Sequence, residues 1–132
     1  MLFRTLALTA AVVLLAPSTY AASSSALTDT ARHSDDDARS EAKAQVDFGI
    51  KAAQNELWKE ATYRWEKATD LDPTYAEAWN NLAIGYEYHG RFEDAEAAYQ
   101  RALKLDPKSV PIRQNYDLFN EINTRTKRRR DR

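Results

Sequence analysis

The residues with the widest chemical range in this chain are two histidines, His33 and His89, and the chain contains no cysteine. Histidine acts as a general acid or base near neutral pH and also binds metals, and His33 stands close to Asp35, Asp36 and Asp37. To hold a divalent cation, these side chains would have to converge on one point. Their segment has no apolar periodicity, which indicates a flexible polar arm without convergent ligands. His89 falls at a turn. We therefore expect no metal site and no catalytic site at either histidine.

The other acidic residues lie on predicted helix surfaces or turns, where a solvated charged face accounts for them. They include Glu56, Glu60, Glu66, Glu87, Glu93 and Asp94. No pocket that would raise a carboxyl pKa can be inferred from the sequence. The chain also lacks a glycine-rich phosphate-binding loop and a spaced His-Glu pair. We expect a protein that is not an enzyme and uses no cofactor.

The elements that carry these residues repeat every 34 residues, since Leu71-Asp72-Pro73 recurs as Leu105-Asp106-Pro107. The same offset pairs Phe48 with Leu82, Gly49 with Ala83, Trp58 with Phe92, Ala61 with Ala95, Trp65 with Tyr99 and Ala68 with Ala102. Apolar residues in each copy recur at helical spacing, and Gly90 separates the two stripes of the second copy. A period of this length is typical of stacked helix pairs, so we predict an all-α fold.

The second copy resembles the tetratricopeptide repeat at nearly every signature position. Those positions are Trp79, Leu82, Ala83, Tyr86, Gly90, Phe92, Ala95, Tyr99, Ala102 and Pro107. The resemblance implies an α-α superhelix of helix-turn-helix repeats whose concave groove binds a protein or peptide partner. Some members clamp a C-terminal carboxylate with two lysines, an arginine and two asparagines. Only Asn81 matches that set, and the other positions hold Val46, Ile50, Pro111 and Asn115, so no such clamp is expected.

Composition divides the chain into four predicted segments. Residues 1–21 combine Arg4, an apolar stretch of about 11 residues and Ala21, which is typical of a secretory signal peptide and short of the roughly 20 residues that span a bilayer. We therefore expect an exported protein, periplasmic or secreted. Residues 22–41 are polar and predicted to be a disordered linker. Residues 42–123 form the repeat domain, with repeats at 42–73 and 76–107 and a cap helix at 110–123, followed by a basic tail at 124–132.

Helix phase indicates which side chains line the groove, because Trp79, Leu82 and Tyr86 are expected to point into the stack. The candidate groove residues are Val46, Ile50, Gln54, Asn80, Asn81, Ile84, Tyr88 and Gln114. The same phase adds Lys43, Asp47, Glu77, Glu87 and Leu118. Amide groups can hydrogen-bond a peptide backbone while apolar side chains accept those of the peptide. Asparagines and an exposed tyrosine also recur in such repeats without any ligand, and that interpretation stays open.

The tail holds the basic residues Arg125, Lys127, Arg128, Arg129, Arg130 and Arg132, although the whole chain has a net charge of −1. It is either a solvated terminus or a device that docks on an anionic envelope component through attraction that salt weakens. Nucleic acid is disfavoured, because no aromatic residue is interleaved for base stacking. Two repeats are fewer than the roughly three that make such stacks stable, so a homo-oligomer is a further option. We predict an adaptor or assembly factor, with envelope targeting or self-association as alternatives.

Overall fold

The computed structural model describes residues 21–130, with side chains described over 31–129, and every regular element in that range is an α-helix. The helices are α1 (Ala21–Gln54), α2 (Trp58–Leu71), α3 (Ala76–Tyr88), α4 (Phe92–Leu105) and α5 (Val110–Arg130). The all-α prediction is confirmed. The chain divides into two compact units, Met1–Arg32 and His33–Arg132, and the repeats lie in the second unit. The predicted signal peptide, apart from Ala21, lies outside the described residues.

Each helix pair closes through a short turn that contains one left-handed residue. That residue is Gly90 in the second pair, with φ of 71°, and Glu56 in the first, with φ of 62°. Asn55, the residue before Glu56, does not adopt this conformation. Its side-chain amide instead donates to the carbonyl of Lys51 at 2.7 Å and satisfies the end of α1. Glu56 therefore carries the backbone strain, because a side chain with a Cβ disfavours left-handed dihedrals.

The core consists of two adjoining apolar clusters. The first contains Ala42, Val46, Ala61, Trp65, Ala68, Ala78 and Leu82. The second contains Ala83, Ala95, Ala98, Tyr99 and Phe119. Helix α3 contributes to both and is the central helix. Alanines allow the helix backbones to approach closely, while one large aromatic residue per repeat, Trp65 or Tyr99, fills the space between them. Residues 34 positions apart thus occupy equivalent places, as the repeat alignment predicted.

Phe48 departs from that equivalence. It aligns with Leu82, yet Phe48 is 54% exposed and Leu82 only 2%. Leu82 packs into the first core cluster beside residues of α2, whereas Phe48 lies on the outer side of the first repeat, where no described helix plays that part. Cationic groups of Lys51 and Arg64 instead lie 5.9 and 5.7 Å from its ring centroid. The sequence pattern alone does not distinguish an inner repeat from an outer one.

Residues 22–41, predicted as a disordered linker, are helical and form the first part of α1. Propagating a helix costs far less than nucleating it, so the packed segment after Ala42 can extend towards the N-terminus through a polar sequence that contains no glycine or proline. Within the second unit, Arg39 joins the residues just before Ala42 to the repeats: it pairs with the carboxylate of Asp72 and donates to the Thr74 hydroxyl at 3.0 Å. Its guanidinium lies 4.7 Å from the centroid of the Tyr75 ring.

The cap helix, predicted to end at residue 123, continues as α5 to Arg130 and so includes most of the basic tail. At its start, the backbone N–H of Ile112 donates to the Ser109 hydroxyl at 3.4 Å, a long N-cap interaction. Past residue 123, the helix is supported by an ion pair between Arg125 and Glu121 at 2.6 Å. Over the described range, no helix combines the length and apolar character needed to cross a lipid bilayer.

Candidate partner-binding groove

Three apolar side chains occupy one equivalent position on the first helix of successive repeats. Ile50 lies on α1, Ile84 on α3 and Leu118 on α5, each 34 residues after the one before. Ile50 and Ile84 are partly buried against the first and second core clusters, and Leu118 is 57% exposed. Equivalent positions of stacked repeats lie along one face, so these residues form a line that we name the apolar row.

One helical turn later, a second line of equivalent positions holds Gln54, Tyr88 and Ile122. All three are exposed. The ring of Tyr88 stacks on that of Trp58, with centroids 4.2 Å apart and planes inclined by 12°, so a side chain of α2 orients it. Ile122, which was not among the predicted groove residues, is 54% exposed. Its offset of 34 residues from Tyr88 is the signal that would have placed it on the groove.

One helical turn before the apolar row, a third line of equivalent positions holds Val46, Asn80 and Gln114. All three were predicted to line the groove, and the structure corrects this prediction for Val46 and Asn80, which are buried. Val46 is 1% exposed and belongs to the first core cluster, and its carbonyl accepts a hydrogen bond from the Trp65 indole at 3.3 Å. It fills the junction between α1 and α2 and is not available to a partner. Asn80 is also buried, and its side-chain oxygen accepts a hydrogen bond from Asn115 of α5 at 3.0 Å. Gln114, the third predicted member of this line, is exposed.

An open cleft of about 580 Å³ lies where α3 begins, beside the turn into α5. Its lining consists of Arg39, Thr74, Tyr75, Ala76, Glu77, Asn80, Asn81, Leu105, Asp106, Ser109, Pro111 and Ile112. Asn81 is partly exposed there, so its amide is accessible to a ligand. The Tyr75 hydroxyl donates to Glu77 at 2.8 Å. Burial, followed by that carboxylate, raises the pKa of Tyr75 to about 12.

The positions that would clamp a peptide carboxylate carry no cation. Val46 is buried, Ile50 belongs to the apolar row, and Asn115 bonds to Asn80. Pro111 is exposed at the start of α5 and has no side-chain donor. A peptide that ends in an acidic cluster therefore finds only the amide of Asn81 where the clamp would supply lysine and arginine.

Glu87 lies near the end of α3, beside a small cavity of about 30 Å³. That cavity is lined by Glu87, Phe92, Phe119, Ile122, Asn123 and Thr126. Burial raises the pKa of Glu87, because the charged carboxylate loses water, and the hydrogen bond donated by the Tyr99 hydroxyl only partly offsets this effect. Over residues 31–129, Glu87 forms no ion pair with a lysine or arginine.

The predicted basic tail is an exposed helical arm as far as it is described. Arg125, Lys127, Arg128 and Arg129 all lie on the last turns of α5 and are exposed. Cations are favourable at this end of a helix, because the carbonyl groups there carry partial negative charge. The side chain of Arg130 and the whole of Arg132 lie outside the described residues.

The histidines do not assemble a site. His33 lies 3.5 Å from Asp37 on the exposed surface of α1, and His89 approaches the carbonyl of Trp58 at 3.4 Å. Across the part of the chain that the structure describes, no three His, Cys, Asp or Glu side chains are grouped as metal ligands would be.

Residues 76–109 match the tetratricopeptide repeat family. Protein O-mannosyl-transferase TMTC1 of Mus musculus is 32% identical over 84 residues, which is 64% of this chain and 9% of the transferase. Tetratricopeptide repeat-containing protein trd-1 of Caenorhabditis elegans is 35% identical over 71 residues, 54% of this chain and 9% of trd-1. The chain thus spans 9% of the length of these relatives, too little to transfer the activity of a whole protein.

Two solved structures share the fold. The Arabidopsis OM64 TPR domain superposes with a TM-score of 0.61 at 21% identity, covering 68% of this chain and 74% of that domain. The C-terminal TPR-containing domain of a Plasmodium falciparum FK506-binding protein also gives 0.61, at 20% identity, over 67% of this chain and 58% of its own. At this level of identity, the superposition supports the helical-repeat fold and nothing further.

Proposed function

We propose that this chain, which is a tetratricopeptide repeat protein, is a non-catalytic adaptor or assembly factor that binds a peptide or helix of a partner protein in its groove. The observation that carries the proposal is the apolar row of Ile50, Ile84 and Leu118, which repeats at one helix position. No described side chain covers Leu118, the most exposed member. Apolar side chains that stay accessible at the same place in each repeat favour a binding surface over chance exposure.

The mechanism is equilibrium binding without a covalent step. Apolar side chains of the partner contact the apolar row, and each fully buried aliphatic side chain contributes about 1.5–3 kcal/mol before the cost of ordering the ligand. Amide groups of Gln54, Asn81 and Gln114 are accessible on the same helices and hydrogen-bond polar groups of the ligand backbone. The apolar row supplies affinity and the amides orient the bound segment.

Affinity capture with paired variants tests the proposal. The groove variant combines Ile84→Glu and Leu118→Glu, and the tail variant replaces Arg125, Lys127, Arg128 and Arg129 with glutamine. Far-UV circular dichroism establishes that both variants keep the helical fold. A protein retained by the wild type and the tail variant, but lost by the groove variant, supports the adaptor function. Equal retention by the wild type and the groove variant would contradict it.

Docking through the tail is a second candidate, because the exposed cations of α5 lie on one continuous helical arm. An anionic envelope component would bind that arm through charge attraction, which falls steeply as the ionic strength rises. Retention on anionic lipid vesicles that is lost in the tail variant and in high salt would support this function. Groove binding should largely persist in the same salt, because apolar contacts are not screened.

Self-association is the third candidate, supported by the exposed ring of Phe48 on the outer side of the first repeat. A second copy packed there would cover it as α2 covers Leu82. Light scattering after size-exclusion chromatography would then show a mass that rises with protein concentration and falls in Phe48→Glu. An unchanging monomeric mass would eliminate this candidate.

We also propose export, which rests on the sequence of residues 1–21 alone. Intact-mass measurement of the protein purified from its host would then show a chain that begins after Ala21 or Ala22.

A further inference from the structure

Three carboxylates on the groove-lining helices have no cationic partner within residues 31–129. They are Asp47 on α1 and Glu77 and Glu87 on α3, and none of them takes part in an ion pair there. The hydroxyl groups of Tyr75 and Tyr99 donate to Glu77 and Glu87 without neutralising them. The groove therefore carries negative charge that no ion pair among residues 31–129 neutralises.

Cations on the same side are fewer or already engaged. Arg39, which lines the cleft at the start of α3, pairs with Asp72. Arg125 pairs with Glu121 on α5. Lys43 on α1 and Arg129 on α5, which shares an open cleft with Ile122, are the cations on this face that form no ion pair within residues 31–129, and they oppose three carboxylates. Complementarity therefore favours a ligand with positive charge.

The three carboxylates lie at different positions along the helix axes relative to the apolar row. Asp47 and Glu77 lie before Ile50 and Ile84 along their helices, and Glu87 lies after Ile84, where its cavity adjoins the exposed side chain of Ile122. An occupant that contacts the apolar row along its centre thus meets carboxylates towards both ends of α3. An amphipathic helix with an apolar stripe bordered by lysine or arginine has this pattern.

We propose that the groove selects an apolar and basic helical segment of a partner protein, and not an acidic C-terminal peptide. This inference rests on the proposed function, since it specifies the ligand of the same groove. Glu87 is the principal determinant of charge selectivity. Its partly buried carboxylate is poorly solvated, so a ligand cation beside it gains more than it would at an exposed carboxylate such as Glu77.

Three synthetic helical peptides test the inference. Each is about 18 residues long, so that a helix can form, and each carries the same leucine stripe on an alanine background. The flanking positions are lysine in the first peptide, glutamine in the second and glutamate in the third. Fluorescence anisotropy measures their dissociation constants with the wild-type chain, Ile84→Glu, Glu87→Gln and the matched control Asp70→Asn. Asp70 is an exposed carboxylate at the end of α2, away from the groove helices, and it forms no ion pair within residues 31–129.

We expect the lysine peptide to bind at least tenfold more tightly than the glutamate peptide at low salt, with the glutamine peptide between them. Glu87→Gln should weaken the lysine peptide about three- to tenfold and leave the glutamine peptide unchanged, while Asp70→Asn affects neither. Glutamine still accepts the Tyr99 hydrogen bond and carries no buried charge, so this variant is expected to fold.

The outcomes separate the two levels of the proposal. Equal affinities for the lysine and glutamine peptides, both lost in Ile84→Glu, would overturn the charge selectivity and leave the groove function standing. Equal weakening of the lysine peptide by Glu87→Gln and Asp70→Asn would overturn the role of Glu87. Binding that does not respond to Ile84→Glu for any peptide would refute the groove function itself.

Discussion

Gly49→Ala should destabilise the repeat domain, because the side chain of Trp65 occupies the space where a Cβ atom would go. A Cβ built on Gly49 would lie 2.3 Å from the Trp65 indole nitrogen and 2.7 Å from its Cδ1. Trp65 is 2% exposed and has little room to move away. Helix α1 can therefore pack this closely on α2 only while residue 49 lacks a side chain.

Three effects set the size of the change in the free energy of unfolding. Overpacking a filled core costs about 1–3 kcal/mol. Moving the indole also weakens its 3.3 Å hydrogen bond to the Val46 carbonyl, which removes about 1 kcal/mol. Alanine in place of glycine within a helix returns about 1 kcal/mol. We expect a net loss of about 1–3 kcal/mol, since the packing cost exceeds the gain in helix propensity.

Urea denaturation followed by far-UV circular dichroism measures this loss. Trp65→Phe provides the matched comparison, because a smaller ring leaves room for the added methyl group. In the double variant Gly49→Ala/Trp65→Phe, the methyl group should cost little, giving a coupling energy of about 1–2 kcal/mol. Wild-type stability in Gly49→Ala, or a methyl group that costs the same with either ring, would refute the packing argument.

Three further substitutions follow from single features of the fold. Glu56→Gly relieves the left-handed backbone strain and should raise the free energy of unfolding by about 0.5–1 kcal/mol, measured by urea denaturation. Ala95→Leu should lower it by about 1–3 kcal/mol, because Ala95 is fully buried between helices. Burial acts to raise the pKa of Asp72, but hydrogen bonds from Arg39 and Thr74 outweigh it and hold the pKa below its ordinary 3.8. The carboxylate thus stabilises the fold above that pH and loses its effect as the pH falls; Asp72→Asn should remove this part of the acid dependence of Tm.

Periodicity along the chain predicted the helix pairs and their contacts. Apolar spacing and Gly90 are local properties, and one face of each helix must be buried wherever its partner lies. Ala61, Trp65, Ala95 and Tyr99, which the 34-residue offset pairs, are accordingly all buried in the core. The apolar row was visible in the same way, since Ile50, Ile84 and Leu118 were all assigned to the groove by helix phase.

Only the tertiary structure decided which faces are covered. Phe48 and Leu82 occupy the same repeat position and differ in exposure because Leu82 packs into the first core cluster, whereas only the cationic side chains of Lys51 and Arg64 are described over the Phe48 ring. Val46 is buried in the core and Asn80 is hydrogen-bonded to Asn115 of α5 because other helices pack against them. Helix phase determines the direction of a side chain, but its solvent exposure depends on neighbours that lie far away in the sequence.

The lengths of α1 and α5 also depended on context. Residues 22–41 and the tail beyond 123 lack an apolar stripe, so their sequence predicted no helix, yet each continues a helix nucleated by packed residues. The repeat, the core pattern and the absence of cysteine were determined by the sequence itself. The occupied and open parts of the groove, and the strain at Glu56, were decided by the packing of whole helices, because burial and turn geometry arise only when distant segments meet.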